Sequence, residues 1–509
     1  MAFDASRSDL TVGVIGTGAM GRGIVQVSAV GGMRVLMTDS RPGAAQEARD
    51  FIGKMLDRAA EKGSMRKDEA VAALERIMIV NGPAELKSCH AVIEAIVENL
   101  QAKQELFGEL ETIVSPDCIL ASNTSSLSVT SIASKLKTPQ RFAGFHFFNP
   151  VPLMRLVEVI DGLQTEAWVA EALMMIGRRM SREPVRLKDA PGFLVNQVGR
   201  GFSLEGSHLV SEGVATFADV DRVMRDVGGF RMGPFELMDL TGLDVTQPAS
   251  ELIYHQFFHE PRYRPNLIMR SRYEAGVLGR KSKKGFYEYD SEMKPIVAPE
   301  PAPPAVRPES VWVSPADPQG HAVLAALLKK LGVTPKGGAK PGPKSLCLVT
   351  PIGEDATTCA VEQGLDPART VAVDTLFPVA KRRTIMGTPL TDPEYRNAAH
   401  GLLGSDGVPV TVCRDSPGLI AQRIVCMIVN IGCSIAQSRT AQPADIDKAV
   451  TLGLNYPNGP FKFGDVLGGE RVYKVLSTMY RIYGDPRYRP NIWLTRRARL
   501  GVSLLTPEP

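Results

Sequence analysis

Residues 10–40, LTVGVIGTGAMGRGIVQVSAVGGMRVLMTDS, decide the first fold assignment. An apolar run from Val12 leads into Gly16-x-Gly18-x-x-Gly21 and then into an apolar helical pattern. Such glycines let backbone N–H groups at a helix N-terminus approach a pyrophosphate with no side chain in the way. A second run, MRVLMTD, ends in Asp39, 18 residues after Gly21, where a dinucleotide fold places its acceptor for the ribose hydroxyls. The glycines alone are a weak signal, but strand, glycines, helix, strand and terminal carboxylate in this order predict a Rossmann-type domain. A carboxylate at position 39 repels the extra phosphate of NADP, so NAD is the expected cofactor, with Arg41 the one feature that pulls the other way.

Outward from this stretch, 509 residues are too many for one core, since cores stop growing at about 250 to 300 residues. A net charge of +4 with no long Lys/Arg run argues against a nucleic-acid partner. No segment approaches the roughly 18 apolar residues of a membrane span, and MAFDASRSDL has no signal-peptide core. A cytoplasmic protein with no membrane partner is expected. The seven cysteines form no CxxC pair and sit mostly in apolar runs, which predicts reduced, buried thiols. His255 and His259 share a helix face in YHQFFHE but lack the Glu of HExxH, so no metal is expected.

The pentapeptide RYRPN, at 262–266 and again at 487–491, closes a longer duplication. DAPGFLVN (189–196) matches DSPGLIAQ (415–422), and a constant offset of 226 pairs FADVDRV with PADIDKA and Gly233-Pro234-Phe235 with Gly459-Pro460-Phe461. One deletion near residue 260 then makes the offset 225. Both copies read as helical, entered through the PG turn and through Asp near helix N-termini. Between them, residues 295–318 hold eight prolines and little periodicity, the mark of an extended linker. From Val311 to about Val412, short β-type runs alternate with helical ones, a small α/β unit with no GxGxxG.

Four segments behind the first fingerprint carry polar residues in apolar surroundings: 121–128, 142–150, 154–160 and 191–197. His146 lies among phenylalanines and Glu158 interrupts an apolar strand. Each alone reads as a satisfied core or edge residue. Together, on adjacent strands, they form a His–carboxylate dyad, which is what proton removal from an alcohol needs.

SNTSSLS, RFAGFHFFNPVPLMRLVEVI, DAPGFLVN and GPFELMD, in this order behind GTGAMGRGI, resemble the L-3-hydroxyacyl-CoA dehydrogenase family across residues 8–290. The resemblance implies NAD-linked oxidation of an acyl-CoA substrate. It makes His146 the general base, Glu158 its orienting partner, and Ser125 and Asn196 hydrogen-bonding groups at the substrate oxygen. It places Glu98, Lys103 and Asn149 along the cofactor and substrate cleft, between the N-terminal domain and the first helical copy; without it, Glu98 and Lys103 read as a helix-surface ion pair and Asn149 as a turn cap. Chains with two such units resemble bacterial forms that act on 3-hydroxyadipyl-CoA or 3-hydroxybutyryl-CoA in aromatic-acid breakdown. Two departures stand out: Gln197 where the family carries Arg, and Lys284 where Gly is common. The competing readings are a dehydrogenase of a small free hydroxy acid and a non-catalytic NAD-binding structural protein.

The expected architecture is α/β plus all-α. It comprises a Rossmann-type NAD-binding domain (1–188), a helical domain (189–290), a Pro-rich linker (291–318), a small degenerate α/β domain (319–412) and a second helical copy (413–509). The two helical copies are expected to form an internal pseudo-dimer, with further homo-oligomerisation left open, and RYRPN to serve helix starts and packing rather than chemistry.

Overall fold

The structure is a computed structural model that describes residues 4–508. The chain forms two compact units: the first 196 residues together with Ser438–Leu454, and Gln197–Gln437 together with the residues from Asn455 onward. Among the described residues no helix is long and apolar enough to cross a membrane. All seven cysteines are buried and free.

The first unit is built on eight strands: β1 (Thr11–Ile15), β2 (Arg34–Thr38), β3 (Ile77–Ile79), β4 (Ala91–Glu94), β5 (Ile119–Ser122), β6 (Phe142–Phe147), β7 (Leu156–Asp161) and β8 (Glu183–Lys188). Their order is β3-β2-β1-β4-β5-β6-β7-β8. Every pairing is parallel except β6 with β7. Strands β1, β4, β5 and β6 are buried along their whole length, as in a sheet covered on both faces. The connections carry α1 (Ala19–Val30), α2 (Ala44–Glu61), α3 (Lys67–Glu75), α4 (Leu100–Ile113), α5 (Val129–Ala133) and α6 (Ala167–Arg179). Val14, Ile24, Val35, Ile93, Phe145 and Val157 belong to the core they enclose.

The second unit opens on the first helical copy, α7 (Val195–Ser211), α8 (Phe217–Asp226), α9 (Pro234–Thr241), α10 (Leu243–Gln256) and α11 (Leu267–Glu274). A hairpin of β9 (Glu288–Tyr289) and β10 (Pro295–Ile296) follows. The small α/β domain has β11 (Val311–Val313), α12 (Pro318–Lys330), β12 (Leu346–Val349), α13 (Ala356–Glu362), β13 (Thr370–Val373), β14 (Arg383–Gly387), α14 (Pro393–Leu403) and β15 (Val410–Cys413). Strand β11 is the first of the β-type runs read from Val311 onward, although the linker boundary expected at residue 318 lies past it. The second copy is α15 (Ala421–Gln437), α16 (Pro443–Leu454), α17 (Pro460–Leu467), α18 (Gly469–Tyr483) and α19 (Ile492–Leu500). The first residues of the five helix pairs repeat the offsets read from sequence, 226 for four pairs and 225 for the last.

The sheet β11-β12-β13-β14-β15 is parallel except for β13 with β14. This is the pairing pattern of β4 to β8, so the small domain is the carboxyl-terminal half of the first sheet without β1, β2 and β3. That missing half is the one that carries the glycine loop and Asp39.

Within the second unit the copies pair directly. A Cβ on Gly201 of α7 would lie 3.1 Å from the Ile428 backbone of α15, so the two helices touch along their backbones. The two RYRPN segments meet there: Arg264 pairs with Asp485 at 2.5 Å, and the offset-related Arg489 faces Glu260 at 3.6 Å. Asn266 and Asn491 cap α11 and α19 through their side chains. The helix α16 belongs to the first unit instead, packed on β7 and β8.

Candidate active site

The chemistry-bearing residues of the first unit gather at the carboxyl ends of β1, β4, β5 and β6. Gly16 takes a positive φ of 90°, and a Cβ there would lie 2.5 Å from the Ala95 carbonyl; a Cβ on Gly21 would lie 1.7 Å from the Gly16 carbonyl. Only glycine allows this approach of helix to strand. A Cβ on Gly18 would meet nothing within 4 Å, and α1 starts without a capping side chain. An open side at an uncapped helix N-terminus fits a pyrophosphate. Asp39 ends β2 and accepts from Thr17 N at 2.7 Å and Arg41 N at 2.9 Å. Burial would raise its carboxyl, but these donors hold it below the usual carboxylate range. The Arg41 guanidinium pairs with Glu47 at 2.9 Å.

Lys103 is 1% exposed and therefore not part of a surface ion pair. Its Nζ meets Glu94 Oε1 at 2.5 Å and Glu98 Oε2 at 3.3 Å. Glu98 Oε1 in turn accepts from Thr124 Oγ1, Ser125 N and Ser126 N at 2.7 to 3.0 Å. Burial opposes its charge, but Lys103 and these donors keep the Glu98 carboxyl below the usual range. Glu98 thus fixes the loop that presents Ser125. The sequence reading missed Glu94; its signal is a carboxylate closing the apolar strand AVIE with a lysine nine residues on.

The antiparallel register puts His146 directly opposite Glu158. His146 Nδ1 lies 2.7 Å from Glu158 Oε2, and Glu158 is fully buried. Glu158 Oε1 accepts from Leu194 N and Val195 N at 3.0 and 3.1 Å, where α7 begins. Phe148 and Phe193 flank the imidazole with ring centroids 4.5 and 5.5 Å away. An imidazole held through one nitrogen by a buried carboxylate is suited to exchange a proton at the other. Asn196, one residue past Val195, reaches back from Nδ2 to the Ser125 carbonyl at 3.4 Å. Asn149 lies exposed where β6 ends, joined to Pro150 by a cis peptide.

The family models for the 3-hydroxyacyl-CoA dehydrogenase NAD binding domain and C-terminal domain match residues 11–190, and residues 192–289 and again 418–503. The chain belongs to the 3-hydroxyacyl-CoA dehydrogenase family. A 3-hydroxyadipyl-CoA dehydrogenase of Escherichia coli (strain K12) is 35% identical over 490 residues, 96% of this chain and 98% of that protein. The crystal structure of a 3-hydroxybutyryl-CoA dehydrogenase from Escherichia coli K12 superimposes with a TM-score of 0.85 at 34% identity, covering 97% of this chain and 99% of that one. A 3-hydroxybutyryl-CoA dehydrogenase of Mycobacterium tuberculosis (strain ATCC 25618 / H37Rv) is 38% identical over 280 residues, 98% of its length but 55% of this chain. As a 3-hydroxyacyl-CoA dehydrogenase, this protein is an NAD-dependent oxidoreductase acting on hydroxyacyl-CoA.

The second sheet carries different residues at the positions equivalent to His146, Glu158 and Asn196. Glu158 pairs with Val185, which the offset carries to Thr411, the partner of Thr384. Thr384 therefore stands where Glu158 stands, and Asp374, whose N–H bonds the Thr384 carbonyl, stands where His146 does. Asn196 corresponds to Gln422, whose Nε2 donates to Asp374 Oδ1 and the Pro351 carbonyl at 3.0 Å while its Oε1 accepts from Gly353 N at 2.9 Å.

Proposed function

We propose that the chain oxidises the C3 hydroxyl of an L-3-hydroxyacyl-CoA reversibly to the 3-keto group, with His146 as general base. The observation that carries this reading is the buried Glu158–His146 pair. Glu158 already spends Oε1 on two backbone N–H groups and faces Nδ1 with Oε2. The ring proton then sits on Nδ1, and Nε2 keeps the lone pair that takes the hydroxyl proton. Glu158 stabilises the imidazolium that forms. Ser125 and Asn196, joined through the Ser125 carbonyl, hydrogen-bond the substrate oxygen as it becomes a carbonyl. Gly16, Gly18, Gly21 and Asp39 hold the cofactor's pyrophosphate and ribose, and Glu98, Lys103 and Asn149 complete its surroundings. NAD, when bound, accepts the C3 hydride.

For the acyl group we propose a short chain, with or without a distal carboxylate, because relatives spanning the whole length are named for 3-hydroxyadipyl-CoA and 3-hydroxybutyryl-CoA. The test is NADH formation with a panel of 3-hydroxyacyl-CoA thioesters and the matching free hydroxy acids. Turnover of thioesters alone supports the proposal; equal turnover of the free acids overturns the thioester assignment. In the same assay Glu158→Gln shifts the acid limb of the pH–rate profile, since the imidazolium loses its charged partner. An unchanged profile removes Glu158 from the mechanism.

A further inference from the structure

Within the second unit, two helical copies related by an approximate twofold would make their contacts in reciprocal pairs. Arg264–Asp485 and Arg489–Glu260 are one such pair. The most deeply buried charges break the rule. Arg423 of α15 is fully buried and meets Glu205 of α7 at 2.7 Å and Glu212, in the turn just past α7, at 2.7 Å. Arg487, from the second RYRPN, adds a bond to Glu212 at 3.0 Å, and Tyr488 donates to Glu205 at 2.7 Å. Burial alone would raise the Glu205 carboxyl, but Arg487 and Arg423 hold it down at about 2.

The offset shows what the reciprocal slot contains. Arg423 corresponds to Gln197 and Glu205 to Ile431. Gln197 Nε2 donates to Tyr263 OH at 2.7 Å, just as Arg423 donates to Tyr488 OH at 2.8 Å, so the two side chains occupy equivalent places. Arg262, the counterpart of Arg487, turns to its own Glu260 and to the Arg489 carbonyl. One slot holds two arginines against two glutamates, and the other has lost both its central charges together.

We propose that this one-sided Arg423–Glu205–Glu212 cluster is a recognition code that makes the first helical face accept the second and reject a like face on another chain. Two first-copy faces brought together would set Glu205 and Glu212 against Gln197 in both slots. Two second-copy faces would bury Arg423 and Arg487 against Ile431. An unpaired buried charge is strongly disfavoured, whereas the unlike pair satisfies every charge in the cluster. The two apolar faces are alike enough for sticking to be unspecific; the cluster fixes which two faces join.

Charge reversal in two full-length chains tests this. Arg423→Glu sets three acids together in its own chain, and Glu205→Arg sets three bases together. Each chain alone is expected to refold from urea to active protein of wild-type mass at least tenfold less well than wild type. Refolded together, the second face of the Arg423→Glu chain fits the first face of the Glu205→Arg chain, and the remaining pair is wild type. The mixture is therefore expected to recover dehydrogenase activity in a species that contains both chains, of at least twice the wild-type mass by light scattering, and the double reversal in one chain to recover the wild-type mass. Failure of both the mixture and the double variant to recover overturns the code, as do single variants that refold to the wild-type mass at wild-type yield.

Discussion

Two sheets in this chain follow the same pattern of strand pairings and differ in what they do with one register position. In the first, β6 and β7 set His146 against Glu158, and Asn196 reaches toward Ser125 from the start of α7. In the second, Asp374 stands beside Thr384, and Gln422 is tied to Asp374, Pro351 and Gly353 at once. The residues that survive in both copies are those with a backbone to satisfy. Asp189 accepts from Thr130 N near the start of α5, and its counterpart Asp415 accepts from Ala356 N and Thr357 N at the start of α13. The two copies thus share turns and helix starts, and the proposed proton-transfer pair stands in the first alone.

The comparison breaks most easily at its largest expected difference. Substituting His146 by Gln is expected to lower kcat by about a hundredfold to ten-thousandfold while leaving NAD affinity nearly intact. Asp374→Asn leaves kcat unchanged. Steady-state kinetics beside fluorescence titration of NADH checks both, and near-normal turnover of the His146 variant removes that residue from the chemistry.

Cofactor stoichiometry comes next. Since the second sheet has no counterpart of β1 to β3, calorimetry is expected to find one NAD site per chain. Asp39→Ser weakens that site by about tenfold and narrows the gap to NADP, as loss of one charge-assisted hydrogen bond would. Two equivalent sites per chain would remove the distinction between the sheets.

Asn196→Ala and Gln422→Ala separate use from packing. The first is expected to lower kcat/KM by about tenfold with little change in Tm, the second to cost about 2–4 kcal/mol of stability with kcat intact, because three buried bonds go at once. Thermal melts and kinetics on both variants give the answer.

The smallest effect concerns Asp374, whose carboxyl burial pushes up to about 6. Its folded pKa lies above the unfolded value of 3.8, so the folded state binds the extra proton between these limits. Its ionisation therefore weakens the fold progressively as pH rises from 3.8 towards 6, with the full cost present above 6. Asp374→Asn is expected to raise Tm by a few degrees at pH 7 and hardly at all at pH 4; an equal shift at both would contradict this account.

The glycine loop, Asp39, the duplication and the dyad were legible in the sequence because each is a pattern at fixed spacing. RYRPN was legible as a helix start, with Asn266 and Asn491 as the caps. Its face-to-face meeting in space was not, because a repeat carries no information about the axis that relates its copies. Glu94 and the three roles of Gln422 were hidden for a similar reason: their partners lie on other strands, and pairing across a sheet leaves no local mark.

One feature of the fold bears on how the protein is made. The first unit is not one stretch of chain, since α16 belongs to it although residues 197–437 intervene. A Cβ on Gly453 of this helix would lie 2.7 Å from Val195 Cγ2 and 2.9 Å from Leu156 Cδ2, so α16 rests directly behind the backbone that holds Glu158. The residues proposed for the oxidation are therefore synthesised early and seated late. A nascent chain stopped ahead of Ser438 would carry every residue assigned to catalysis and still lack the surface that braces two of their neighbours. Competence for turnover is thus expected to appear only when translation has nearly finished.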